Sequence, residues 1–420
     1  MKIVCFGPGP MFKGGIANYN TSLAKALDRA GHEVFILSWT QQYPAIIPRD
    51  FIDRKSRSNQ LEGTGIKVEY LLNYNNPFSW KQTILRIKEL RPDGVIFQWS
   101  IAIQGLPLGF IARRLRRDGI KVLFDLHFVI QKEGSSLDRH FSSYALRQAD
   151  MYVTHALKTY DELKALFPQQ NFYLSDQSTN SEGKPVINLF HPVYDMFRPD
   201  PDFNVNHYKT DNNLKPHVFL FFGFIRKYKG LHNAIRAFKL LSDQRDDVSL
   251  LICGESFWNT IDKSKLSSKI KSVVFGLAKK LFLKKQDNEQ DYRPLDLIDS
   301  LGIRDKVMVV NEFIPNEDVH KYFQVSDSVL LFYEYATPSG VESIAYNFNM
   351  PLLATAVGHF PETVKPGYNG YLAAPGNIEE MAAIMEKSIN SPIDRKNVAE
   401  TTHEMSWDNY ANAIINGIHQ

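Results

Sequence analysis

The chain has 420 residues, of which 44% are apolar and 12% aromatic, with a formal charge of +3 and two cysteines. That length exceeds what one core usually serves, so two domains with a cleft between them are expected. The small net charge gives no ground for a nucleic-acid partner. Cys5 and Cys253 each sit in an apolar run, which excludes a disulfide framework and points to a reducing compartment.

The opening MKIVCFGPGP reads as a first strand and lacks a leader-like apolar stretch. IAIQGLPLGFIA (101–112) is about half the ~20 residues that span a bilayer. A cytoplasmic protein without a spanning helix is expected. Short apolar runs then alternate with amphipathic ones: KIVCFG (2–7), a helical pattern over 17–30, HEVFILSW (32–39), IKVEYLL (66–72), a helix over 79–90, DGVIFQW (93–99), a helix over 105–117 and IKVLFDLH (120–127). That rhythm predicts parallel βαβ units. Residues 165–215 are polar and broken by Asn, Ser, Gly and Pro, which marks a change of domain.

The rhythm restarts with HVFLFFG (217–223), a helix over 230–242, VSLLICG (248–254), KVMVV (306–310), a helix over 316–325, DSVLLFY (327–333), a helix over 340–347 and PLLAT (351–355). Two doubly wound α/β domains follow, at 1–200 and 205–400, with ligands expected outside the carboxyl ends of the strands. The last helix, in 403–420, is expected to pack back on the first domain.

Candidate site residues fall at those strand ends. Gly7 and Gly9 begin a dinucleotide fingerprint, but Phe12 occupies its third glycine position and the second strand ends without an acid, which argues against NAD. Gly14 and Gly15 stand where a helix begins and let backbone N–H groups approach a ligand, or they simply make a flexible loop. Arg226 and Lys229, in FGFIRKYKGL, suit a diphosphate, against the alternative of a solvated surface. Glu334 and Glu342 flank the turn Thr337, Pro338, Ser339, Gly340. Its N–H groups suit a phosphate or hydroxyl, and the carboxylates suit vicinal hydroxyls; a plain helix-start charge is the other reading. His127 ends a strand as a substrate contact or a satisfied hydrogen-bonding residue. The only Asp-x-Asp triplet is DPD (200–202), away from any strand end, so no metal site is expected.

Within an insertion at 258–295, KSKLSSKIKSVVFGLAKKLFLKK (263–285) carries eight lysines and no acid. Leu266, Ile270, Val273, Leu277 and Leu281 recur at helical spacing, so this is a basic amphipathic helix that suits an anionic membrane surface or packs on its own domain.

Taken together, GGIANY, DLHFVIQKE, FFGFIRKYKGL, EYATPSGVESIAYNFNMPLLATAVGHFPETVKPGYNGYLAAPGN and SWDNYANAI resemble the retaining glycosyltransferases of family 4, whose two-domain fold is called GT-B. The resemblance implies a nucleoside-diphosphate sugar donor on the C-terminal domain and a glycan or polyprenyl-linked acceptor on the N-terminal domain. It also implies transfer with retention by front-face attack, without cofactor or metal, in cell-surface polysaccharide synthesis at the inner face of the plasma membrane. By position, Arg226 and Lys229 would bind the diphosphate, Glu334 the sugar hydroxyls and Glu342 the ribose. His127 would approach the sugar, and Gly14 and Gly15 would border the phosphate. Two departures stand out: Phe224 where relatives carry the arginine, and TPSG where FG is common. A GT-B epimerase or phosphorylase and an inactive sugar-binding scaffold are the alternatives. The base, sugar and acceptor stay open.

Overall fold

A computed structural model describes residues 1–43, 51–57, 59–130, 136–175, 182–256, 292–336 and 340–419. The first sheet has eight strands: β1 (Lys2–Phe6), β2 (Glu33–Gln41), β3 (Lys67–Asn73), β4 (Gly94–Trp99), β5 (Lys121–Leu126), β6 (Met151–Thr154), β7 (Phe172–Leu174) and β8 (Lys184–Asn188). They lie in the order β3-β2-β1-β4-β5-β6-β8-β7, and each pairing is parallel. Ile3, Val4, Cys5 and Phe6 are all fully buried, as a central strand covered on both faces requires.

Three helices of this domain matter below: α1 (Gly15–Arg29), α2 (Pro77–Leu90) and α3 (Gly105–Arg117). Asn76 caps α2 by accepting from the Phe78 N–H, and Pro77 follows at the position where a missing N–H costs nothing.

The second sheet holds β9 (His217–Phe222), β10 (Val248–Cys253), β11 (Val307–Val310), β12 (Ser328–Leu331), β13 (Leu352–Thr355) and β14 (Gly370–Ala373), ordered β11-β10-β9-β12-β13-β14 and parallel throughout. Strand order reverses between β1 and β4 in one sheet and between β9 and β12 in the other. The loops after β1, β9 and β12 therefore open at the two switch points, where a crevice forms.

Some strands escaped the sequence reading. β7 and β8 lie inside the polar stretch 165–215. Those short strands at the sheet edge bury only Leu174, Val186 and Ile187, too few apolar residues to stand out from their polar flanks. β14 also went unread, since Gly370 and Ala373 carry little side chain.

The C-terminal helix, Trp407–His419, lies on the first domain. Asp408 pairs with Arg29 of α1 at 3.0 Å, and Ile418 fills the space over Gly94. One apolar cluster runs from Leu23 and Ile36 through Tyr194 and Phe197 to Leu331 and Ile344, so the two domains share a core. Among the described residues, no helix is long and apolar enough to cross a membrane. The basic segment 263–285 lies outside the described residues.

Candidate functional site

The loop after β1 ends at Gly14, whose φ of 107° is the left-handed region that glycine tolerates, and α1 starts at the next residue. Opposite, the loop after β9 carries Arg226 and a single 3₁₀ turn, Lys227–Lys229, before the helix Leu231–Ser242. Gly230 joins them at φ 65°, so tightly that a Cβ would fall 1.8 Å from the Phe332 carbonyl oxygen. Lys229 is thereby pressed against the strand ends.

Gly14, Gly15, Lys229 and Gly340 all line one cavity of about 240 Å³, with Tyr194 and Phe313 among its walls. Lys229 is buried, and no carboxylate partners it among the described residues. Burial, reinforced by the neighbouring Arg226, pushes its ammonium down to about 8. A cation held dry and unpaired is a strong anion receptor. The Arg226 guanidinium lies 5.4 Å over the Tyr228 ring, which in turn stacks on Tyr335.

The acidic turn divides. Glu334 is a partly exposed side chain in the loop after β12, with an oxygen 3.4 Å from His232 Nε2. Burial, with Arg236 and Lys227 adding to it, pushes His232 down to about 4. Its Nδ1 faces the Tyr292 hydroxyl at 2.9 Å. Glu342 is in the first turn of the helix Gly340–Asn347 and is buried. Its two oxygens are taken by the Thr363 hydroxyl and by His359 Nε2, and it is not among the residues lining the cavity. Each oxygen keeps a second lone pair, so a further hydroxyl could be accepted without displacing either partner. Thr337, Pro338 and Ser339 lie outside the described residues, so only Gly340 of that turn is placed.

His127 follows β5, half-buried, with its backbone N–H donating to Trp99 O and its ring edge-on to Tyr19 at 4.8 Å. It does not line the cavity. Burial pushes its imidazole down to about 4; Asp125 opposes this and His155 adds to it.

Several residues that sequence reading missed tie the domains together. The Tyr194 hydroxyl donates to Gly15 O at 2.8 Å, and its ring closes on Gly340, where a Cβ would approach it to 3.1 Å. One side chain therefore braces both glycine loops. Across the cleft, Lys55 pairs with Glu312 at 2.6 Å, the Arg57 N–H donates to Glu317, and Lys13 lies 5.1 Å over the Phe313 ring. None of these carries a local pattern, because each partner is far away in sequence. Among the described residues, no cluster of His, Cys, Asp or Glu is arranged to hold a metal ion.

A profile for glycosyltransferase family 4 matches residues 13–171, and one for glycosyl transferases group 1 matches residues 202–405. No curated protein sequence matches the chain. Among solved structures, the Anabaena protein HepE in complex with UDP is similar over 100% of both chains, at 15% identity and a TM-score of 0.67. Sucrose-phosphate synthase from Thermosynechococcus elongatus is similar over 99% of this chain and 97% of its own, at 16% identity and 0.63. The lipopolysaccharide outer core galactosyltransferase WaaB is similar over 100% and 99%, at 16% and 0.61. At such identities these likenesses bear on the fold, two Rossmann-like sheets in the GT-B arrangement. With the two profiles taking up one domain each, the chain belongs to glycosyltransferase family 4 and is a glycosyltransferase.

Proposed function

We propose that the protein moves a sugar from a nucleoside-diphosphate sugar to a glycan or polyprenyl-linked acceptor, with retention of anomeric configuration, in cell-surface polysaccharide synthesis. The observation that carries this reading is Lys229, a buried cation with no carboxylate partner among the described residues, in a cavity lined by both domains. As the anomeric C–O bond breaks, the diphosphate leaves with the electron pair. Lys229, Arg226 and the N–H groups at the helix starts meet that charge, so no metal is required for it. The acceptor hydroxyl attacks from the same face and gives its proton to the departing diphosphate. His127 approaches the transferred sugar, and Glu334 takes its hydroxyls. Glu342 takes the ribose hydroxyls with the lone pairs that Thr363 and His359 leave open.

HepE has been solved with UDP and with UDP-glucose, which makes uridine the first base and glucose the first sugar to try. A membrane-bound acceptor also agrees with the surface of α2 and α3. Phe78, Leu85, Leu106 and Phe110 are exposed there, beside Arg113, Arg114 and Arg117. We place the protein peripherally on an anionic membrane through this face and the basic segment 263–285.

The test is release of nucleoside diphosphate from UDP-, GDP- and ADP-hexoses with and without a polyprenyl-linked glycan. Release that depends on the acceptor, and that EDTA changes by less than about twofold, is the expected result. Conversion of the sugar nucleotide without acceptor would establish an epimerase instead.

A further inference from the structure

Behind His127 lies a buried polar cluster for which phosphate binding has no use. β4 and β5 pair in register so that Gln98 stands beside Asp125, and neither is more than 1% exposed. Asp125 Oδ1 accepts from His155 Nε2 at 2.9 Å, while Oδ2 accepts from the Tyr410 hydroxyl at 3.1 Å and from Gln98 Nε2 at 3.4 Å. Burial alone would push this carboxyl up. His155 foremost, with His127 and the Tyr19 hydroxyl, outweighs that and holds it below the usual carboxylate range.

An ionised carboxylate only accepts, so the Gln98 amide must turn its NH₂ toward Asp125 and its oxygen away. That oxygen meets His127 Nε2 at 2.8 Å. Gly7 makes room for the arrangement, since a Cβ there would fall 2.7 Å from Gln98 Cγ. An amide oxygen also only accepts, so Nε2 carries the proton. Because His127 is neutral at pH 7, its Nδ1 keeps a lone pair. No described residue donates to that Nδ1.

We propose that Asp125, acting through Gln98, is a positioning residue that fixes His127 as the Nε2-protonated tautomer, so that Nδ1 accepts a hydrogen bond from a hydroxyl of the transferred sugar. The sugar contact rests on the reading above, in which His127 approaches that sugar; the tautomer does not. The consequence is a choice of donor class. A lone pair accepts from the hydroxyl of a nucleoside-diphosphate hexose and repels the carboxylate of the matching hexuronate, which the other tautomer would welcome.

Ring ¹⁵N NMR of the full-length, histidine-labelled protein without donor tests the relay, with His127 assigned by its loss in His127→Gln. Wild type is expected to show a protonated Nε2 and a bare Nδ1. In Gln98→Met, close in volume but unable to accept, the two tautomers are expected to mix. A protonated Nδ1 in wild type, or an unchanged tautomer in Gln98→Met, would overturn the relay. The wild-type spectrum decides alone should the variant not fold. Kinetics then test the sugar contact: Gln98→Met should raise KM for the hexose donor about tenfold, the loss of one hydrogen bond, with inhibition by the free nucleoside diphosphate unchanged. A relay as described with an unchanged KM overturns the hydroxyl contact and leaves the tautomer standing.

Discussion

With its ammonium held at about 8 by burial and Arg226, Lys229 binds its proton loosely in the free protein, against an ordinary 10.5. Between those two values the unfolded chain holds a proton that the folded one has lost, so this group makes stability rise with pH across that window. A diphosphate beside Lys229 reverses the sense by keeping the proton on. The melting-temperature shift caused by a nucleoside diphosphate should therefore be full below about pH 8 and fall as pH rises from there. Thermal melts at about pH 7 and about pH 9.5 check this, and an equal shift at both would remove Lys229 from the diphosphate site. The position of Lys229 between a strand end and a helix start was legible in RKYKG, with a solvated surface as the other reading. Its burial was not legible, because that depends on Tyr333 and on the Gly223 backbone folding over it. Glu342 shows the converse. Its place in a helix first turn could be read, but its capture by His359 and Thr363 comes from a short helix about 20 residues on.

Elements were legible where they are central and long. β1, β2, β4, β5, β9 and β10 announce themselves as runs of apolar residues because helices cover both faces of each sheet. β6, β7, β8 and β14, of three to five residues each, did not. The turn before the helix Leu231–Ser242 is the least forgiving joint among these elements. At Gly230 both the positive φ and the Phe332 carbonyl forbid a side chain, so Gly230→Ala should cost at least about 3 kcal/mol. Urea unfolding measures the loss. A variant within about 0.5 kcal/mol of wild type would show that the loop relaxes freely and does not hold Lys229 in place.

On the scale of the whole molecule, the domains close over the cavity through contacts far apart in sequence. Lys55 with Glu312 and Tyr194 with Gly15 and Gly340 are examples, and none could be read from one segment. The outer face of the first domain has a different task in this account. Phe78 and Leu85 on α2 are 77% and 60% exposed, and Leu106 and Phe110 on α3 extend the patch toward the arginines. Neither Arg113 nor Arg117 pairs with an acid among the described residues. Reversing both to glutamate should remove most binding to anionic vesicles, since each basic side chain near such a surface is worth about 1 kcal/mol. Sedimentation with vesicles containing phosphatidylserine tests it, and unchanged binding would exclude this face as the membrane contact.

The central claim is that the cavity between the domains holds the diphosphate of a nucleotide sugar against Lys229. The most direct measurement is the affinity of UDP for wild type and for Lys229→Ala at about pH 7, by calorimetry, with GDP and ADP in parallel. At least one of the three is expected to bind, and to bind about tenfold or more weakly to the variant, since a charge-assisted contact to phosphate is lost. Equal affinity in the two proteins would contradict the claim.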